Sequence, residues 1–207
     1  MEVKTKYVAP NIGYFEIDNG KSVYRLMEKM TNPMNQDKLA EFSEIEKEKG
    51  NPVPMNSIQH IELFDDAVKS GNQDLLDFLQ KGLQRYPNTL TRVVYNLAGK
   101  EDETIHNYGT SDSYSRIGDI VGNDDWVKNI NNINALEFLL KTKDTERLNE
   151  ISKSINKTPM YLWRLNSKPS ERQERVVRFG ANADRINLDA YRLFFDEDPA
   201  FLVERVK

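Results

Sequence analysis

Apolar residues recur at helical spacing in the middle of the chain and at strand spacing towards its end. Residues 57–84 carry two helical stripes separated by Ser70-Gly71-Asn72-Gln73, which predicts a helical hairpin. Residues 130–155 carry two further stripes, with Asp144 or Thr145 as the cap between them. The middle of the chain is therefore predicted to be mainly helical.

The N-terminal segment, residues 1–50, is predicted to be a strand-helix unit. β-Favouring side chains before the turn Asp18-Asn19-Gly20 predict a strand, and residues 22–30 have apolar side chains at helical spacing. The charged stretch 37–49 has a narrow apolar stripe and predicts a surface helix. Residues 50–54, Gly-Asn-Pro-Val-Pro, are the best candidate for a linker.

Strand patterns dominate the C-terminal segment, residues 159–207. Its short apolar runs are separated by turn residues, which predicts a small antiparallel sheet. Residues 89–97, TLTRVVYNL, are rich in β-branched side chains and predict a strand that pairs with this sheet. The sequence thus predicts an α+β protein with an N-terminal strand-helix unit, a helical middle over 55–158 and a C-terminal sheet. These segments could all belong to one domain.

Two stretches resemble parts of known families. Ala67, Gly71-Asn72, Leu75-Leu76 and Leu79 fall where an ankyrin repeat has its Ala, Gly-Asn and aliphatic positions. The Thr-Pro-Leu-His opening and a second copy are missing, so an ordinary αα-hairpin is the favoured interpretation. In the C-terminal segment, RVVRFG (175–180) and DPAF (198–201) resemble in residue pattern the closing strands of C-type-lectin-like and sulfatase-modifying-factor-like domains. Those families place Gly and Trp where this chain has Phe179 and Ala181, and no prediction is based on the likeness.

Charge and composition exclude several classes of function. The 207 residues carry a net charge of −4 and no basic stripe, so nucleic acid is not expected as a partner. Without cysteine there are no disulfides, thiolate zinc sites or cysteine nucleophiles. Phosphate-binding glycine patterns and metal-ligand spacings are lacking, so no cofactor or metal is predicted. With no signal-peptide pattern or run of 18 apolar residues, no membrane span is expected and a cytoplasmic location is the default.

The most polar stretch, residues 104–126, is the best candidate for a working surface and is predicted to be a loop. A small hydrolase would use His106 in this stretch as a general base, with Asp112 or Asp119 as its partner. The stretch has no Gly-x-Ser-x-Gly turn, however, and a loop histidine commonly satisfies backbone groups instead. The other histidine, His60, lies in the first helix of the hairpin and is expected to be partly exposed.

Aromatic and arginine side chains in and after this stretch favour binding over catalysis, because Tyr, Trp and Arg dominate interface hot spots. The candidate binding residues are Tyr108, Tyr114, Arg116, Trp126, Trp163 and Arg164. As an alternative, Trp126, Tyr161 and Trp163 pack in the core where the helices meet the sheet. We therefore expect a non-enzymatic binding or protein-interaction module whose ligand is a protein or a small molecule. The small hydrolase is the alternative function.

Overall fold

The computed structural model describes residues 2–8, 12–192 and 198–206, with the backbone alone for residues 2–8, 12, 191 and 192. The first sheet contains β1 (Glu2–Val8), β2 (Ile12–Asp18), β3 (Val23–Met27), β4 (Val53–Pro54) and β12 (Leu202–Val206). The second contains β5 (Asn88–Tyr95), β6 (Glu103–His106), β7 (Tyr114–Ile117), β8 (Asp125–Trp126), β9 (Met160–Trp163), β10 (Gln173–Ala181) and β11 (Ile186–Arg192). The helices are α1 (Gln36–Glu48), α2 (Ser57–Ser70), α3 (Gln73–Leu83), α4 (Asn134–Leu140) and α5 (Thr145–Asn156).

The strand orders show that both sheets are built from distant parts of the chain. The first sheet has the order β1-β2-β3-β12-β4, and its strand pairs are antiparallel. The second has the order β7-β6-β5-β10-β11-β9-β8, and its pairs are antiparallel except for the parallel pair β11–β9. Strand β5 is buried at every position, because it lies near the middle of this sheet with helices on both faces.

The two faces of the second sheet have different surroundings. Helices α2 to α5 share one core with the inner face, to which β10, for example, contributes Val177 and Phe179. Helix α1 lies over β5 on the opposite, outer face, where Leu39 and Ala40 pack against Leu90. Side chains alternate between the faces of a strand, so residues flanking the inner-face positions point outward. This alternation decides which side chains remain available for binding.

The helices predicted in the middle of the chain are confirmed. Gly71 ends α2 in the left-handed conformation with φ +62°, and the Asn72 side chain caps α3. Asp144 caps α5, as predicted from the break between the two stripes. The predicted surface helix is α1, whose N-cap is Asn35. Each of these helices carries its own apolar stripe and cap, so local sequence is sufficient to specify it.

The stretch 22–30 is not a helix, which corrects the prediction for the N-terminal unit. Residues 23–27 form β3, which pairs with β2 on one side and β12 on the other. Its Leu26 is fully buried. Hydrogen bonding to two neighbouring strands outweighs a weak helical pattern, because intrinsic helix propensities differ by less than about 1 kcal/mol per ordinary residue.

The α+β composition is confirmed, but the predicted arrangement is partly wrong. The middle is not only helical, since it contributes β5 to β8. Two of these strands, β7 and β8, lie within the stretch predicted as a loop, and β6 overlaps its start. The C-terminal strands do pair with β5, as expected, but they belong to a seven-stranded sheet rather than a small separate one. Strand β7 is an exposed edge strand, and the neighbouring β6 buries the polar side chains Thr104 and His106, so neither strand shows a hydrophobic alternation. Residues 193–197, which include the end of the predicted apolar run 184–195 and the start of the predicted turn 196–199, lie outside the described residues. The division into three segments stays a prediction.

Candidate functional site

His106 lies at the end of β6 and is fully buried. Its Nε2 donates to the carbonyl oxygen of Phe138 at 3.0 Å, which leaves Nδ1 to accept from the hydroxyl of Thr91 at 3.1 Å. Burial lowers the pKa of His106 to about 4. Thr91 in turn accepts the backbone N–H of Ser57 at the start of α2. In this arrangement the imidazole is neutral and joins the sheet to two helices.

The two carboxylates proposed as partners of His106 contact lysines instead. Asp112 pairs with Lys47 of α1, and both side chains are exposed. Asp119 pairs with Lys168 at 2.7 Å. Among the described residues, neither carboxylate is hydrogen-bonded to His106. The hydrolase hypothesis stays a prediction.

His60 is buried, contrary to the expectation that it is partly exposed. Its Nδ1 donates to the carbonyl oxygen of Asn56 at 2.9 Å, and its ring lies 5.4 Å from that of Phe179. Burial lowers the pKa of His60 to about 4. Helix α2 turns this side chain into the core, where its ring lies against those of Phe64, Phe179 and Phe201.

Tyr108 and Arg92 form a compact contact between α1 and the outer face of the sheet. The guanidinium carbon of Arg92 lies 3.3 Å from the ring centre of Tyr108. The same guanidinium donates to Gln36, Asp37 and Glu174 at 2.6 to 2.9 Å. Each of the three guanidinium nitrogens is thus bonded to a residue of the fold, so the contact with Tyr108 has a structural role.

Arg164 is also buried by the fold. Its guanidinium donates to the backbone carbonyl oxygens of Ile120 and Asn123 at 3.2 Å. Its backbone N–H donates to the carboxylate of Asp124 at 2.7 Å. Burial lowers the pKa of Arg164 from its usual value. This arginine holds the segment 120–124 in place and lies away from solvent.

Tyr114 and Arg116 lie on the edge strand β7. Tyr114 is 45% exposed and its ring centre is 5.2 Å from that of His106, so one ring face covers the buried histidine. Arg116 pairs with Glu137 of α4 at 2.9 Å. Ile117 on the same strand is 54% exposed. This edge has exposed apolar area, but its side chains do not converge on a common point because they alternate between faces.

Trp126 and Trp163 come together with Tyr161 and Arg185 in what we call the aromatic patch. Trp126 and Tyr161 are paired across β8 and β9, with ring centres 5.0 Å apart. Tyr161 and Trp163 are two positions apart on β9, with ring centres 5.0 Å apart. The guanidinium carbon of Arg185 lies 5.2 Å from the Tyr161 ring, 5.9 Å from Trp126 and 5.8 Å from Trp163. One cation thus contacts three rings.

The aromatic patch lies on the outer face of the second sheet, near the edge formed by β8. Met160 and Leu162 of β9 are buried in the main core. Tyr161 and Trp163 alternate with them along the strand and therefore point outward. Trp163 is 38% exposed, while its indole Nε1 donates to the side chain of Asn187 at 2.8 Å. The hydrogen bond fixes the indole and leaves part of its apolar surface in solvent.

The six predicted binding residues are therefore divided among four places. Two of them, Trp126 and Trp163, share one surface, and the interpretation of these rings as buried core does not fit the exposure of Trp163. Sequence reasoning missed Arg185, whose position beside the rings depends on the parallel pairing of β11 with β9. The spacing of Tyr161 and Trp163 in YLW was a usable signal, because residues two apart share a strand face.

Comparison with known proteins adds no family to this description. No family model, curated protein or solved structure matches the chain. Within residues 2–8, 12–192 and 198–206, no group of three or more histidine, aspartate or glutamate side chains is arranged to hold a metal ion. Over the same part of the chain, none of the helices has both the length and the apolar character needed to cross a bilayer.

Proposed function

We propose that the chain is a non-enzymatic binding module and that the aromatic patch is the surface with which it binds a partner protein. One observation carries the proposal: Trp126, Tyr161 and Trp163 are gathered with Arg185 on the outer face of the second sheet. Trp and Tyr are among the residues that most often dominate binding energy at protein interfaces.

The arrangement of Trp163 supports this proposal further. An indole that is 38% exposed leaves apolar surface in water, and burying that surface against a partner is favourable. Its Nε1 is already bonded to Asn187, so binding would not leave this polar group without a partner. The ring is also held in position before binding, which reduces the entropy lost when a complex forms.

The contacts of the histidine give no comparable support to the hydrolase. Both ring nitrogens of His106 are hydrogen-bonded within the fold, at 3.0 and 3.1 Å. A general base needs a nitrogen that can reach the proton it removes from a substrate. The binding module is the function that the described contacts favour.

Selection of peptides provides the test. A phage-displayed library of random peptides is selected on the wild-type protein, and each enriched peptide is then measured on Trp163→Ala and on Tyr114→Ala. Tyr114 is a matched control, because it is an aromatic residue of similar exposure outside the patch. We expect affinity to fall by at least about tenfold in Trp163→Ala and to change little in Tyr114→Ala.

Three results would contradict the proposal: no peptide is enriched, the enriched peptides bind Trp163→Ala as well as wild type, or both variants lose binding equally. Circular dichroism and urea unfolding of each variant show whether a loss of binding reflects a loss of folded protein. A variant with wild-type unfolding but weakened peptide binding supports the aromatic patch as the binding surface.

A further inference from the structure

We infer that the aromatic patch recognises a cationic side chain of its partner protein, and that the Arg185 guanidinium occupies the position of this cation in the free chain. The inference rests on the proposed function, because it names the chemical group that the same surface would bind. It follows from the positions of three rings, the charge around them and the attachment of Arg185.

The angles between the rings favour a compact cation over a flat ligand. The planes of Trp126 and Tyr161 meet at 88°, and those of Tyr161 and Trp163 at 53°. A sugar face or a row of bases would stack best on rings that lie in one plane or parallel to one another. Rings that are perpendicular form a corner, in which a compact cation can lie over the electron-rich face of a ring. The guanidinium of Arg185 lies within 6 Å of all three ring centres, the range in which a cation is attracted to a ring.

Negative charge near the aromatic patch favours the same class of ligand. Asp184 precedes Arg185 and has a side chain that is 62% exposed. The whole chain has a net charge of −4. A basic segment of a partner is attracted by these charges, whereas an acidic segment would be repelled by them.

Arg185 is attached to the fold in a way that allows its replacement. It lies in the turn between β10 and β11, where the Asn182 backbone N–H donates to the Arg185 carbonyl oxygen at 2.9 Å. Its described ion-pair partner is Asp184, the preceding residue of the same turn, at 3.0 Å. By contrast, the buried Arg92 is bonded to residues of two other elements. The Arg185 side chain can therefore leave the rings without breaking a described ion pair to another element.

The two tryptophans provide a direct readout of this site. The chain contains only two, Trp126 and Trp163, and both belong to the aromatic patch. Intrinsic tryptophan fluorescence therefore reports on the patch alone. Choline is the probe, since its trimethylammonium group is a compact cation, and 3,3-dimethyl-1-butanol is the neutral molecule of the same shape. Sodium chloride at equal ionic strength corrects for screening.

Three proteins are titrated: wild type, Arg185→Ala and Arg147→Ala. Arg147 is a matched control, because its side chain is similarly exposed but lies on α5, outside the aromatic patch. There it pairs with Asp65 and Glu150. Removing Arg185 frees the rings, so we expect choline to bind Arg185→Ala at least about tenfold more tightly than wild type. Arg147→Ala should behave as wild type, and the neutral alcohol should give no saturable change.

The inference is overturned when Arg185→Ala binds choline no more tightly than wild type, or when the neutral alcohol binds as well as choline. Replacing Lys and Arg by Met in the peptides selected above gives the corresponding test with a protein ligand. Peptides that depend on Trp163 but not on their own basic residues would refute cation recognition and leave the binding module standing. Choline binding without any enriched peptide would instead refute the partner protein as the ligand.

Discussion

The buried carboxylate of Asp102 lies 2.8 Å from the ammonium nitrogen of Lys168, at a point where three loops meet. The carboxylate also accepts the backbone N–H groups of Asn96 and Ile120, each at 2.9 Å. Lys168 further pairs with Asp119. These contacts fix the path of the polar stretch between β7 and β8, which leads directly into the aromatic patch.

Lys168→Met should destabilise the protein strongly, because it leaves the buried Asp102 without its counter-ion. We expect the free energy of unfolding to fall by about 3 kcal/mol, measured by urea unfolding. Lys47→Met is the control, since the Lys47–Asp112 pair is exposed and its loss should change stability little. Equal losses in the two variants would show that the ion pair at Asp102 has no special role.

The two buried histidines should make the folded protein less stable in mild acid. His60 and His106 each have a pKa of about 4 in the folded protein, below the ordinary value of 6.5. Between these values the unfolded chain binds protons that the folded chain does not, so stability is complete above pH 6.5 and falls as the pH approaches 4. From pH 7 to 5.5 each histidine should cost about 1 kcal/mol.

His106→Gln separates the two contributions. Glutamine can donate to a carbonyl oxygen and accept from a hydroxyl, but it does not titrate. Urea unfolding at pH 7 and 5.5 should therefore show about half the wild-type loss of stability in this variant. A loss as large as that of wild type would mean that His106 does not contribute to the pH dependence.

Arg92→Lys should weaken the attachment of α1 to the second sheet. The lysine ammonium is a single point charge and cannot reach Gln36, Asp37 and Glu174 together. We expect a loss of about 2 kcal/mol in urea unfolding, because buried polar partners are left unsatisfied. Arg172→Lys is the comparison: Arg172 pairs with the same glutamate but is 57% exposed, and its replacement should change stability little.

Gly82→Ala should destabilise the protein even though alanine is the better helix former. Gly82 is buried in α3, and a β-carbon there would overlap the ring of the fully buried Phe201. Propensity alone predicts a gain of about 1 kcal/mol, whereas overpacking costs about 1–3 kcal/mol. In the double variant with Phe201→Leu, the measured loss should be smaller than the sum of the two single losses. A single variant more stable than wild type would contradict the close packing.

The elements that sequence predicts well are those specified by neighbouring residues. Helix α3 has Leu75, Leu79 and Leu83 on one face and a capping asparagine before it, so nothing distant is needed to recognise it. Strand β5 is recognisable from its β-branched side chains. Strand β3 is different, because its apolar spacing fits a helix and the pairing that decides its conformation comes from β12.

The same distinction holds for the candidate site. The sequence identifies Trp126 and Trp163 as binding candidates from residue type, and the spacing of Tyr161 and Trp163 places them on one strand face. The parallel pairing of β9 with β11 then fixes which residues of β11, such as Asn187, lie beside them. The position of Arg185 depends on this long-range register, which local patterns do not specify. Residue types therefore indicate a binding surface, and strand pairing assembles it.

The insertion of β12 between β3 and β4 has a consequence for synthesis of the chain. Strand β3 leaves the ribosome early, but the strand that pairs with its second edge, residues 202–206, is made much later. Until then that edge is open, and an open strand edge is a template for pairing with other chains. The first sheet can therefore be completed only after residues 202–206 have been synthesised.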